Sequence, residues 1–196
     1  MPILRWRMDN PSLILQTVDG HLDHEVRLVV YGRSALWLGF DGSPPEAART
    51  QDVDAIISTI QEKELEDDGK FWDAIEAANA ELAVRGLYIT HLFSEREVFL
   101  RHDWLKNIVP INRLPLRHLR LFRPATIDLV LSKMMRGTDP QDIADAQFMI
   151  RHDRITEAQL LDAFAQMKPI ELVELREAFA KAKPAVLQAA RGAGVT

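Results

Sequence analysis

The passage from a short apolar run through glycine into a helix-forming segment is the feature that most restricts the folds open to this chain. Val26-Arg27-Leu28-Val29-Val30-Tyr31 is rich in β-branched and apolar residues and closes on Gly32, the pattern of a buried strand running into a turn. From Ser34 to Phe40 the composition shifts to Ala, Leu and Trp, which suits a short helix lying back on that strand. Asp41-Gly42-Ser43-Pro44-Pro45 reads as a turn or loop. Asp52 to Ser58 is strand-like again, with Val53, Ile56 and Ile57. The acidic run Glu62 to Asp68 reads as a solvated loop. Phe71, Ile75, Ala78, Leu82 and Val84 then give Lys70 to Arg85 one apolar face, so this stretch is an amphipathic helix stopped by Gly86. Leu87 to Phe93 follows as a strand and Val98 to Leu100 as a shorter one.

The second half changes character. Pro124 opens a helix through Met135 that Gly137 ends. Asp139-Pro140 is an N-cap with proline in the first turn, and Thr156 to Gln159 has capping-box spacing. Pro169 opens a last helical stretch that Pro184 is expected to break or kink, and Gly192-Ala193-Gly194 is expected to fray. The order predicts an α/β (α+β) fold: a mixed sheet with flanking helices over residues 1–123, with a helical C-terminal region, residues 124–196, packed on it.

Composition narrows the setting. At 47% apolar residues the chain can bury a substantial core, and a net charge of −5 argues against a surface that grips nucleic acid throughout. Cysteine is absent, which excludes disulfides and thiolate metal sites. Arg5, Arg7, Asp9 and Asn10 interrupt any secretory leader, and no apolar run reaches membrane-spanning length. The expectation is a cytoplasmic protein with no membrane partner.

The residues best suited to chemistry are Asp52 and Asp54. On a strand, alternate side chains share a face, so Asp-Val-Asp presents two carboxylates together and turns Val53 away. Two adjacent carboxylates repel unless a cation lies between them, and Mg²⁺ favours carboxylate oxygens alongside substrate phosphates. The plainer alternative is a solvated pair that hydrogen-bonds nearby backbone. Upstream, the Gly32 turn offers free backbone N–H groups and the Ser34 hydroxyl to a phosphate.

Gly32-Arg33-Ser34-Ala35-Leu36-Trp37-Leu38-Gly39 followed by Arg49-Thr50-Gln51-Asp52-Val53-Asp54 resembles the opening of the minimal nucleotidyltransferase fold. Ala125 to Arg136, with Asp128, Lys133 and Arg136, and then Asp139 to Asp145 are similar to a signature of nucleotidyltransferase-like proteins related to abortive-infection toxins. The resemblance implies that Gly32 and Ser34, with Arg49, Thr50 and Arg136, approach a nucleotide triphosphate. It further implies that Asp52 and Asp54 hold Mg²⁺, and that Lys133 sits near phosphate and takes part in catalysis. The implied reaction is attack of an RNA or protein hydroxyl on the α-phosphate of an NTP, with pyrophosphate leaving.

The sequence departs from that pattern in two places. Arg33 stands where the family has a small residue, and would either crowd the phosphate cradle or supply charge to it. The third carboxylate is not evident from sequence; Glu95, Glu97 and Asp103 lie in the right region without a recognisable pattern. Lys133 and Arg136 are three apart, as are Asp142 and Asp145, so salt bridges between two helix faces would equally explain them. His21 and His24 have chelating spacing, but the turn-like surroundings at Gly20 and the lack of a further ligand argue against zinc. Three functions fit this pattern: an active nucleotidyltransferase of the toxin–antitoxin or phage-defence kind, a nucleotide-binding relative without catalysis, and an antitoxin-like interaction protein on the same scaffold. A complete carboxylate set favours the first, and an Arg33 side chain filling the phosphate site the second or third. A large exposed apolar patch favours the third.

Overall fold

The computed structural model describes residues 9–169 and 171–193, without the side chains of residues 90, 91 and 193. Arg5 and Arg7, on which the leader expectation partly rests, and Gly194 of the tail lie outside the described residues.

The chain opens with helix α1 (Asn10–His21), capped by Asp9, whose carboxylate accepts from the Ser12 N–H. Strand β1 (Val26–Tyr31) passes into α2 (Gly32–Gly39), and β2 (Asp52–Ile57) into α3 (Thr59–Glu66). Helix α4 (Gly69–Leu82) leads through one 3₁₀ turn to Gly86 and then β3 (Tyr88–Ser94). Strands β4 (Val109–Pro110) and β5 (Leu119–Arg123) follow. From there the chain is helical: α5 (Thr126–Lys133), α6 (Pro140–His152), α7 (Glu157–Gln166) and α8 (Val173–Ala193).

Among the described residues the strands form one five-stranded mixed sheet in the order β3-β2-β1-β5-β4. β1 sits at its centre, antiparallel to β2 and parallel to β5. The three strands read from sequence therefore share a sheet, and α4 is tied to it by Asn79. That side chain donates to the Ile89 carbonyl at 3.0 Å and accepts from the Ile89 N–H at 2.8 Å, as a neighbouring strand would.

Alternation sorts the strands into two faces. Val26, Leu28 and Val30, with Val53, Ala55 and Ile57, point into the main core shared with the helices. Val29 and Ile56 point the other way, onto a smaller cluster with Val98, Leu100 and Trp104. Tyr31, Asp54 and Asp52 continue this second row, so both acids lie on one face while Val53 is fully buried on the opposite one. Main-core residues reach the C-terminal helices, including Ala146, Leu160, Ala182 and Val186.

Two polar ties fix the elements around the sheet. The buried Asp19 carboxylate accepts from the backbone N–H groups of Arg117, His118 and Leu119 at 2.8–3.1 Å, joining α1 to the start of β5. Burial alone would raise its pKa, but these N–H donors bring it below the usual carboxylate value. The buried Glu95 carboxylate accepts from Thr59 (N–H 2.9 Å, hydroxyl 2.6 Å), the Trp104 indole (2.5 Å) and the Lys168 ammonium (2.7 Å).

Four local expectations need correction. The acidic run from Glu62 to Glu66 belongs to α3, because buried Leu65 anchors it and Glu62 accepts from the Ser94 hydroxyl. Val98 to Leu100 is not a strand: its residues are buried, but they pack as an irregular segment between both clusters rather than joining the ladder. Helix α8 starts at Val173 rather than at Pro169, and its helical span continues through Pro184, with Ala182, Val186 and Ala190 buried. Gly192 and Ala193 are its last residues, not a frayed tail. His21 and His24 belong to different partners, Glu81 for the first and Asp23 and Asp68 for the second. No helix among the described residues is long and apolar enough to cross a membrane.

Candidate functional site

At the end of β1 the backbone turns at Gly32, whose φ of +65° is in the left-handed region that glycine adopts without strain. A Cβ added to Gly32 would stand 3.9 Å from Asp54 Oδ2, so the turn passes directly over that carboxylate. Tyr31 pairs with Asp54 across the β1–β2 ladder. Asp52, two residues away on the same face, accepts a 2.7 Å hydrogen bond from the Thr50 hydroxyl. Both acids are half-buried, and Arg49, at the end of the preceding 3₁₀ turn, is exposed.

The Tyr31 phenol reports on the charge around it. Its ring meets Phe93 edge-on at 5.6 Å. Burial, then the carboxylates of Asp54, Glu97 and Asp52 in that order, push its pKa well above the ordinary tyrosine value. Of the three acids considered as a third carboxylate, Glu97 is thus the one whose charge is felt beside the pair. Glu95 is sequestered by Thr59, Trp104 and Lys168, and Asp103 accepts from Asn107. Among the described residues no three His, Asp or Glu side chains converge closely enough to hold a metal ion. A two-carboxylate face suits a cation that draws its other ligands from phosphate and water, which is the habit of Mg²⁺.

Ser34 is 2% exposed, and its hydroxyl donates to the Tyr31 carbonyl at 2.9 Å. In this state it braces the turn from within.

Lys133 lies in a second, buried polar cluster. Its ammonium donates to Asp142 at 3.0 Å and Asp145 at 2.7 Å, while Arg136 Nε reaches Asp142 at 2.5 Å. The salt bridges expected between the two helix faces are therefore present. Burial would raise the Asp142 pKa, but Arg136 and Lys133 hold it below the ordinary carboxylate value. Arg33 joins the cluster from the turn, its Nε 3.8 Å from Asp145 Oδ2. The geometry thus brings Gly32, Thr50, Asp52 and Asp54 together and packs Lys133 and Arg136 around Asp142. The two groups are linked through Arg33.

Tyr31 and the approach of Arg33 to Asp145 escaped the sequence reading, where Glu97 stands only as one of three acids without a pattern. Strand alternation carried a signal for Tyr31, which is two residues beyond Val29 and so on the acid face. Nothing in sequence brings Glu97 or Asp145 to the turn.

A mixed sheet in which a strand–glycine–helix junction lies over an Asp-x-Asp pair defines a nucleotidyltransferase-like domain. The chain belongs to the family described as nucleotidyltransferase of unknown function (DUF6036), whose model matches residues 13–169. No curated protein and no solved structure matches it.

Proposed function

We propose that this protein is a Mg²⁺-dependent nucleotidyltransferase that moves NMP from an NTP to a hydroxyl of an RNA or protein acceptor. The observation that carries the reading is the pair of half-buried carboxylates, Asp52 and Asp54, side by side beneath the Gly32 turn. In the reaction the acceptor oxygen forms a bond to the α-phosphorus, the bond to pyrophosphate breaks, and the hydroxyl proton passes to solvent. Mg²⁺, held by Asp52 and Asp54, would offset charge on the phosphate oxygens. The protein's own contribution is to hold the phosphate chain close to these acids, with Thr50 fixing one Asp52 oxygen and the glycine turn leaving room for the ligand. Family membership supports the class of chemistry. A cytoplasmic role in a toxin–antitoxin or phage-defence pair is the biological setting we infer for it.

Titration calorimetry of each NTP, with and without Mg²⁺, tests the proposal. Wild type should bind better with the ion, and Asp52→Ala/Asp54→Ala should lose that coupling while keeping its fold. Incubation with labelled NTP and total RNA or protein should transfer label. NTP binding that ignores Mg²⁺, or no binding, would overturn the reading. One observation favours a second reading, a protein-interaction role: Leu161, Leu172 and Val173 on the C-terminal helices and their connection are all exposed.

A further inference from the structure

Arg33 is the least satisfied charged group among the described residues. Its Nε and Nη2 atoms are buried, yet neither has a hydrogen-bond partner. Its ion pair with Asp145 is long, at 3.8 Å, and Asp145 does not depend on it. Asp145 already accepts from the Lys133 ammonium at 2.7 Å and from the Gln141 side-chain amide at 3.2 Å. The guanidinium therefore rests beside a carboxylate served by others, with its own fork of donors unused. Buried polar groups are nearly always paired, and an exception calls for an explanation.

Position supplies one. Arg33 follows Gly32, the residue whose backbone passes over Asp54. Lys133 and Arg136, the other cations of this cluster, are each hydrogen-bonded to Asp142. Arg33 is the cation of this group without such a hold, and its side chain is 23% exposed. A guanidinium presents paired N–H groups whose geometry matches phosphate oxygens.

We propose that Arg33 is a specificity-determining residue that reads the length of the phosphate chain. In the free protein it is parked against Asp145; with a triphosphate at the acid pair it donates its unused N–H groups to the outer phosphates. The site then favours NTP over NDP, and NDP over NMP. This rests on the nucleotidyltransferase reading above.

The test compares wild type, Arg33→Met and Arg33→Lys in calorimetric titrations with ATP, GTP, CTP and UTP, their di- and monophosphates, and inorganic tripolyphosphate, all with Mg²⁺. Thermal melts of the three proteins accompany the titrations. Arg33→Met should weaken NTP and tripolyphosphate binding about tenfold or more, the loss of a charge-assisted contact, and leave NMP binding within about twofold. Arg33→Lys should recover part of the loss. The melting temperature of Arg33→Met should equal or exceed that of wild type, because no hydrogen bond is removed. If Arg33→Met binds triphosphates as wild type does, loses mono- and triphosphates alike, or melts well below wild type, Arg33 is not the chain-length reader. If wild type binds neither NTP nor tripolyphosphate, the nucleotidyltransferase reading itself fails first.

Discussion

Lys133 shows how a residue of catalytic type can be committed to structure. The residue is 6% exposed, and its ammonium neutralises two carboxylates that are themselves buried. Removing one member of a buried ion cluster leaves uncompensated charge, which costs more than the cluster contributes when intact. Lys133→Met should therefore lower stability by about 3 kcal/mol, measured by urea unfolding. A loss of less than about 1 kcal/mol, the scale of an exposed ion pair, would show that Lys133 is free to serve a ligand. This was half legible in sequence. The three-residue spacing of Lys133 with Arg136 and of Asp142 with Asp145 announced matched helix faces, whereas the approach of Arg33 depends on how α2 and α6 pack, which no local pattern encodes. The Asp52–Asp54 pair was legible for the opposite reason, since strand alternation alone decides which side chains share a face.

At the scale of elements, the sequence was most informative where one strong local rule acted. β1 ends where Gly32 supplies a left-handed turn, and α6 starts where Asp139 caps it and accepts from the N–H groups of Gln141 and Asp142. Reading failed where tertiary burial outweighed local signals. In α3 a single buried leucine holds a strongly acidic helix. The irregular segment from Glu95 to Trp104 depends on burial as well, and on the Glu95 carboxylate that ties Thr59, Trp104 and Lys168 together. Burial would raise the Glu95 pKa, but Lys168, Thr59 and Trp104 together lower it from about 4.5 to about 2. Between these values the unfolded chain takes up a proton that the folded chain refuses. The stabilisation is thus fully present above pH 4.5 and is lost as pH falls towards 2. Glu95→Gln should be less stable than wild type at pH 7 and show a flatter stability profile through that acid window, followed by urea unfolding at each pH. An unchanged slope would exclude Glu95 as a source of acid sensitivity.

Across the whole molecule, the C-terminal helices share the core of the sheet. Ala182, Val186 and Ala190 of α8 are almost fully buried, Phe179 meets Phe99 and Phe164 edge-on, and Gly137 packs against Ala178. A chain ending at Leu172 would expose this surface. Its circular-dichroism melt should fall by at least about 10 °C, or lose its cooperative transition. A truncated chain that melts like wild type would show that α8 is dispensable to the core.

The order of strands in the sheet has a consequence for synthesis. β1 is central, but its parallel neighbour β5 lies roughly ninety residues further along the chain. On a ribosome adding about 5–20 residues per second, one flank of β1 stays open for several seconds after β1 emerges. Asp19 waits equally long for the N–H groups of residues 117–119. The nascent chain thus carries an unpaired strand edge on the flank of β1 away from its acidic pair, and this interval is when a chaperone would find the most to hold.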